Sequence, residues 1–126
     1  MSSARKTVLV VDDDPAVREG LVAFLEDEGY AALGAENGRR ALEVLETMEA
    51  EAPRLILLDL MMPVMDGWQF LAERARRSNA TPVVLLSGLS FIRDAPGVAD
   101  FLCKPVNFEK LRDCLERFCG RPAPAA

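Results

Sequence analysis

The chain alternates short, continuous apolar runs with longer segments in which apolar residues recur every three or four positions. Continuous runs at Thr7–Val11, 55–58 and 82–86 are typical of strands that are buried on both faces of a parallel sheet. Weaker runs predict two further strands, at Ala31–Ala35 and Asp100–Cys103. The pattern therefore predicts five strands.

The segments between these strands have helical spacing. Val17, Leu21 and Leu25 fall on one face of a helix predicted over 14–28, which ends before Gly29. The same spacing predicts three more long helices, which begin near Asn37, Trp68 and Phe108. Strands that alternate with helices favour right-handed crossovers with helices on both faces of the sheet. The predicted fold class is α/β, with a doubly wound parallel sheet.

Length and composition are those of a single globular domain. The chain has 126 residues, of which 50% are apolar, enough for a buried core. We expect residues 1–120 to form the domain and residues 121–126 to be a flexible tail or the start of a linker. No apolar run approaches the roughly 18 residues of a membrane span, and the N-terminal MSSARKT leads directly into a strand. We therefore expect a cytoplasmic protein without membrane contact.

Charge and residue types narrow the range of functions. The net charge of −5 gives no basic surface for a phosphate backbone, so direct nucleic-acid binding is not expected and proteins are the expected partners. The chain has no histidine, which excludes a histidine of its own as base or phosphate carrier. Its three cysteines lack metal-ligand spacing and are interpreted as reduced structural thiols.

Polar residues follow the predicted strands at the points where the strands end. The run Asp12-Asp13-Asp14 follows the first strand, Asp59 the third, Ser87 the fourth and Lys104 the fifth. Because a parallel sheet gathers the carboxyl ends of its strands along one edge, we expect these residues to meet in one crevice. Asp14 is also expected to cap the first helix, since aspartate accepts hydrogen bonds from free helix amides.

The residue types in this crevice suit a divalent cation and a phosphoryl group. Magnesium prefers oxygen ligands and typically takes one or two carboxylates, so Asp12, Asp13 and Asp59 are candidate ligands for Mg²⁺ or Mn²⁺. With the cation bound, an oxygen of Asp59 is a candidate nucleophile that would form an aspartyl phosphate. Catalysis of phosphoryl transfer is mainly positioning and charge neutralisation, and these roles suit Lys104 and Ser87.

Four segments that contain the strand ends carry a resemblance to a known family. They are VLVVDDDP at 8–15, LLDLMMPVMDG at 57–67, LSG at 86–88 and FLCKP at 101–105. In this order and strand context, they resemble the response-regulator receiver domain of two-component signalling. The resemblance covers the chain from about residue 6 to residue 119.

The resemblance implies a flavodoxin-like fold with strand order 2-1-3-4-5 and phosphorylation on Asp59. A histidine kinase or a phosphotransfer protein would supply the phosphoryl group. The output would pass to a downstream protein target or to a fused effector domain. The chain would be a signalling domain rather than an enzyme, since it would catalyse only its own phosphorylation and slow dephosphorylation.

The resemblance also implies which residues hold the metal. The family's metal ligands would correspond to Asp12 or Asp13, with Asp13 and Asp59 as direct ligands together with the backbone carbonyl of Met61. Asp12 and Asp13 follow one strand and Asp59 ends another, so the implied ligands agree with the crevice expected from strand order.

Two further positions have roles that the resemblance implies. Ser87 and Phe101 would form a switch pair, in which Ser87 moves toward the phosphoryl group. Packing in the core is the alternative interpretation of Phe101, since it is an aromatic residue within a strand. The Lys104-Pro105 peptide bond is often cis in this family.

The chain departs from the family pattern between Ser87 and Lys104. Only 16 residues separate the two, fewer than the family leads us to expect. Pro96 and Gly97 disfavour helix, so the fourth helix of the family is expected to be shortened to about one or two turns, around 89–94. Because partners of the family read this helix after phosphorylation, we expect the output to use a non-standard face.

A second departure concerns the lifetime of the phosphoryl group. Met61 lies two residues after Asp59, and Leu89 lies two residues after Ser87. A polar side chain at either position could orient a hydrolytic water, but both residues are apolar. Slow autodephosphorylation is therefore expected.

Two other functions fit part of the sequence. A pseudo-receiver would keep the fold as a protein-interaction module that does not depend on phosphorylation. The short fourth helix favours this alternative, whereas the complete set of acids, hydroxyl and lysine disfavours it. A small phosphatase similar to the haloacid dehalogenase superfamily would use the Asp-x-Asp element within Asp12-Asp13-Asp14. That interpretation leaves Asp59 without a role and lacks room for a substrate cap.

Overall fold

Five parallel strands form one sheet in the order β2-β1-β3-β4-β5. The computed structural model describes residues 6–48, 52–88 and 97–121. Within these ranges the strands are β1 (Thr7–Val11), β2 (Ala31–Ala35), β3 (Leu55–Asp59), β4 (Val83–Ser87) and β5 (Asp100–Cys103). The five predicted strands and the flavodoxin-like strand order are confirmed.

Helices cover both faces of this sheet. In the described residues they are α1 (Pro15–Asp27), α2 (Gly38–Thr47), α3 (Gly67–Arg76) and α4 (Phe108–Cys119). Each follows a residue whose side chain accepts hydrogen bonds from the first turn, namely Asp14, Asn37, Asp66 and Asn107. These caps satisfy backbone donors that a helix leaves unpaired, and the predicted capping role of Asp14 is confirmed.

Each face of the sheet has its own apolar core. Leu9 and Leu58 pack among residues of α2 and α3, whereas Val10 and Leu57 pack among residues of α1 and α4. Successive side chains of a strand point to opposite faces, so a strand between two cores is apolar at every position. Packing therefore occupies the strand interiors and leaves the strand ends for polar residues.

The connection from β4 to β5 is residues 88–99, and residues 89–96 fall outside the described residues. The shortened fourth helix, which is predicted around 89–94 and includes Leu89, therefore lies outside the described residues. Most of the tail predicted for 121–126 also lies outside, since the description ends at residue 121. Across the described ranges, no helix is long and apolar enough to cross a membrane.

Candidate functional site

Three carboxylates lie together where β1 and β3 end. Val11 and Leu58 pair in adjacent parallel strands, so Asp12 and Asp59, which follow them, lie side by side. One carboxylate oxygen from each of Asp12, Asp13 and Asp59 lies within 4.8 Å of the others. Asp12 is fully buried and Asp59 is 6% exposed, whereas Asp13 is exposed. The structure therefore brings the predicted acidic set together, with Asp13 on its solvent side.

Lys104 reaches this acidic cluster from the end of β5. Its backbone N–H donates to the carbonyl oxygen of Ser87 at 2.9 Å, which continues the pairing of β4 and β5 beyond the strands. Its Nζ atom lies 2.8 Å from Asp12 Oδ2 and 3.6 Å from Asp59 Oδ1. Asp12 is thus the closer partner of the ammonium. The Lys104-Pro105 peptide bond is cis, as the resemblance implies.

Asp12 is held through its backbone as well as its side chain. Its N–H donates to the carbonyl of Ala35 at 3.1 Å, and its own carbonyl accepts from Nη1 of Arg18 at 2.8 Å. Its Oδ1 accepts from the Asp14 N–H at 2.9 Å, while Oδ2 accepts from Lys104. These contacts pair the polar atoms of Asp12, as a buried polar residue requires. No role for Arg18 could be predicted from the sequence, because a contact with a backbone carbonyl leaves no signal in residue types.

Burial and neighbouring charges shift the pKa values of Asp59 and Lys104. Burial raises the pKa of Asp59; the charge of Lys104 opposes this rise, and the charges of Asp12 and Asp13 add to it. Burial alone would lower the pKa of Lys104, but Asp12 and Asp59 together raise it above its ordinary value. The ammonium therefore stays charged at neutral pH, whereas ionised Asp59 lies in an unfavourable environment. A divalent cation would relieve that penalty because it favours ionised carboxylates.

Ser87 and Met61 lie close to Asp59, Ser87 at the end of the neighbouring strand β4 and Met61 in the loop that follows β3. Ser87 ends β4 and is 3% exposed, and it follows Leu86, which pairs with Asp59. The backbone N–H of Met61 donates to Asp59 Oδ1 at 3.4 Å, and the Met61 side chain is 70% exposed. Both residues thus lie where the sequence predicts them, while their roles stay predictions.

Phe101 lies further from the strand ends than the other predicted site residues. It pairs with Leu85 within the β4–β5 ladder and is half-buried against the apolar core that α2 and α3 cover. This contact is the core packing that is the alternative interpretation of Phe101. A switch role for Phe101 would have to act through this packing, and it stays a prediction.

Gly67 allows α3 to begin directly against the end of β3. A Cβ atom at this position would lie 2.8 Å from the carbonyl oxygen of Asp59 and 2.8 Å from the Cα of Leu60. A backbone neighbour at that distance cannot give way cheaply, so only glycine fits. Its N–H also donates to the carbonyl of Leu60 at 3.0 Å. The loop after Asp59 is therefore held close to the acidic cluster.

Val64 carries backbone strain in the same loop. Its φ is 67°, in the left-handed region, and the residue is 71% exposed. Residues other than glycine enter this region at a cost of about 1–2 kcal/mol, and a β-branched residue is especially poorly suited to it. We expect Val64→Asn, which tolerates this conformation, to raise the free energy of unfolding by about 1 kcal/mol in urea denaturation.

The matched control for this change is Val64→Ala. It removes the exposed isopropyl group, as asparagine does, but it lacks the polar side chain that supports a left-handed backbone. A smaller gain in the alanine variant is expected. Equal gains in both variants would contradict the support that the asparagine side chain gives to the left-handed backbone.

The sequence is similar to known proteins along nearly its whole length. A family model described as the response regulator receiver domain matches residues 8–116. The chain is 35% identical over 130 residues to the transcriptional regulatory protein GlrR of Escherichia coli (strain K12), an alignment that covers 99% of this chain and 29% of GlrR. The chain thus spans less than a third of the length of that relative.

The fold is similar to solved structures of comparable length. The chemotaxis protein CheY4 of Vibrio cholerae gives a TM-score of 0.74 at 31% identity, covering 91% of this chain and 99% of CheY4. The response regulator TrrA of Thermotoga maritima, solved in complex with Mg(2+)-BeF, gives a TM-score of 0.77 at 30% identity, covering 90% of this chain and 98% of TrrA. Both similarities extend over almost the whole domain.

Proposed function

The chain belongs to the response regulator receiver domains of two-component systems, and on that basis we propose that it is a switch that accepts a phosphoryl group on Asp59. A carboxylate oxygen of Asp59 attacks the donor's phosphorus, so that an O–P bond forms while the bond from phosphorus to the donor breaks. One observation carries the proposal. Asp59 Oδ1 lies 3.6 Å from Lys104 Nζ, and one carboxylate oxygen from each of Asp12, Asp13 and Asp59 lies within 4.8 Å of the others.

The acidic cluster suits a hard divalent cation, Mg²⁺ or Mn²⁺. Its three carboxylates offer closely spaced oxygen ligands, and burial of an ionised group favours a nearby cation. We propose that Asp13 and Asp59 hold the cation directly with the backbone carbonyl of Met61, and that Asp12 supports the site while bonded to Lys104. When bound, the cation neutralises charge on the phosphoryl oxygens.

Lys104 and Ser87 are proposed to act on the phosphoryl group from the neighbouring strands. The Lys104 ammonium offers a stable positive charge to one phosphoryl oxygen, and the Ser87 hydroxyl offers a hydrogen bond to another. Such preorganised charges account for most of the catalysis in phosphoryl transfer. Movement of Ser87 and repacking of Phe101 would then shift the chain between two pre-existing conformations.

The proposed partners are proteins. A histidine kinase or a phosphotransfer protein would donate the phosphoryl group in the cytoplasm. The output would be a changed contact with a downstream protein, or with an effector domain fused to this one. The longer relative GlrR, which is named as a transcriptional regulatory protein, supports the second form of output. The net charge of −5 supports protein contacts rather than direct nucleic-acid binding.

The intact mass of the chain after incubation with acetyl phosphate tests this proposal. We expect a phosphoryl adduct in Mg²⁺ that is absent in EDTA and that maps to the peptide containing Asp59. The adduct should persist after acetyl phosphate is removed, since the exposed side chain of Met61 has no polar group to orient a water. No adduct under any condition would indicate an interaction module independent of phosphorylation. An adduct on Asp12, or turnover of phosphate esters, would indicate a phosphatase.

A further inference from the structure

Arg18 holds the backbone of the acidic cluster from α1. Its Nη1 donates to the carbonyl oxygen of Asp12 at 2.8 Å. That carbonyl belongs to the rigid, planar peptide unit that joins Asp12 to Asp13. We propose that Arg18 is a positioning residue for the cation site, because it fixes this peptide plane and with it the direction in which Asp13 projects. The inference rests on the proposed cation site of Asp12, Asp13 and Asp59.

The orientation of the Asp13 side chain depends more on its backbone than the orientations of Asp12 and Asp59 do. Asp12 is anchored through its side chain by Lys104 and by the N–H of Asp14. Asp59 is buried and lies within 3.6 Å of Lys104. Asp13 is exposed, and within the described parts of the chain its side chain makes no hydrogen bond or ion pair. The peptide plane that Arg18 holds is therefore the main restraint on Asp13.

Gly34 on β2 makes room for the Arg18 side chain. A Cβ atom at Gly34 would lie 3.1 Å from Cδ and 3.2 Å from Cγ of Arg18. The aliphatic stem of the arginine thus crosses β2 at a position that has no side chain. Gly34 precedes Ala35, whose carbonyl accepts from the Asp12 N–H. A side chain at Gly34 would therefore displace Arg18 without changing its charge.

The charge of Arg18 and its proposed positioning role predict opposite changes in Mg²⁺ affinity when the side chain is removed. As a cation near the acidic cluster, Arg18 repels Mg²⁺, so loss of its charge alone would tighten Mg²⁺ binding. As a positioning residue it strengthens binding, because groups that orient metal ligands typically contribute about 10–100-fold in metal affinity. The direction of the change in affinity therefore distinguishes the two roles.

Calorimetric titration of the chain with MgCl₂ tests the assignment. We expect Arg18→Met to raise the Kd for Mg²⁺ by about tenfold and Arg18→Lys to restore most of the affinity, since its ammonium can donate to the same carbonyl. Gly34→Val should also raise the Kd, but it should add little in the Arg18→Met background because both changes act through one contact. Arg76→Met is the matched control on α3, where Arg76 pairs with Glu73, and it should leave the Kd unchanged.

A second measurement separates positioning from a general structural effect. In labelling with acetyl phosphate, Arg18→Met should raise the half-saturating Mg²⁺ concentration while the rate at saturating Mg²⁺ stays at the wild-type level. Its metal-free melting temperature should also stay close to that of the wild type.

Three other outcomes would contradict, in turn, the positioning role of Arg18, its coupling to Gly34 and the cation site itself. If the wild type binds Mg²⁺ but Arg18→Met binds it equally or more tightly, the positioning role is wrong and the proposed function stands. If Arg18→Met and Gly34→Val raise the Kd additively, the coupling through Gly34 is wrong. If the wild type releases or absorbs no heat and shows no Mg²⁺-dependent labelling, the cation site itself is wrong and the role of Arg18 falls with it.

Discussion

Asp59→Asn is expected to leave the chain at its unmodified mass after incubation with acetyl phosphate and Mg²⁺. The amide has no ionised oxygen that can attack phosphorus, and it is a weaker ligand for a hard cation. Asp12 is a poor substitute, because its Oδ1 and Oδ2 already accept hydrogen bonds from Asp14 and Lys104. Intact mass spectrometry measures the effect directly, and complete loss of the adduct is the expected result.

The Asp59→Asn variant is also expected to be more stable than the wild type at pH 7. Burial raises the pKa of Asp59 above its ordinary value of 3.8, so the folded chain favours the protonated form. The stability from this preference is fully present below that ordinary value and is lost as pH rises through the raised pKa. The melting temperature of the variant should therefore exceed that of the wild type by more at pH 7 than below pH 4. Mg²⁺ should reduce this difference in melting temperature, because it binds the wild type more tightly than the variant and therefore stabilises the wild type more.

Asp14→Asn is the matched control for this prediction. It makes the same carboxylate-to-amide change at an exposed position beside the cluster, and asparagine caps a helix as well as aspartate does. The control should keep the Mg²⁺-dependent adduct. An adduct that survives in Asp59→Asn would contradict Asp59 as the phosphoacceptor. An adduct that also disappears in Asp14→Asn would show that its loss is not specific to Asp59.

Lys104→Met is expected to lower the rate of phosphorylation by acetyl phosphate by about 10²–10³-fold at saturating Mg²⁺. The ammonium lies 3.6 Å from the proposed nucleophile, in a site where burial strengthens its effect on developing charge. Methionine has a similar length and no charge, so the change tests the charge itself. The measurement is the initial rate of adduct formation by intact mass.

A control variant, Lys110→Met, and the Mg²⁺ affinity of Lys104→Met distinguish a role of the ammonium charge from a structural role. Lys110→Met removes a lysine from the exposed side of α4 and should leave the rate unchanged. Lys104→Met should bind Mg²⁺ at least as tightly as the wild type, because a competing positive charge is removed from Asp12. A wild-type rate in Lys104→Met would contradict the role of the ammonium. A lost rate together with lost Mg²⁺ binding would indicate a structural role instead.

Much of the fold could be predicted from sequence because its signals are local. Residues 8–11 are apolar at successive positions since both faces of β1 are covered. Asp14 precedes a segment of amphipathic spacing because it caps α1, which packs one face on the sheet. The meeting of Asp59 with Lys104 could also be predicted, since parallel strands place their carboxyl ends at one edge. The confirmed strand order brings these residues to that edge.

Contacts inside the crevice could not be predicted in the same way. Residue types give no sign that Lys104 lies closer to Asp12 than to Asp59, since both carboxylates attract an ammonium. They also cannot decide whether Phe101 faces the crevice or the core, because an aromatic residue suits either position. These choices depend on how neighbouring elements pack against one another, which residue types along the chain do not encode.

The sequence by itself determined the alternation of strands and helices and the polar residues at the carboxyl ends of β1, β3, β4 and β5. It did so because burial on both faces and helix capping each act on residues close together in the chain. Only the tertiary structure decided that Arg18 holds the carbonyl of Asp12 beside Gly34, and that Gly67 lies against the backbone of Asp59. Those contacts join separate elements, and their distances follow from how the helices pack over the sheet.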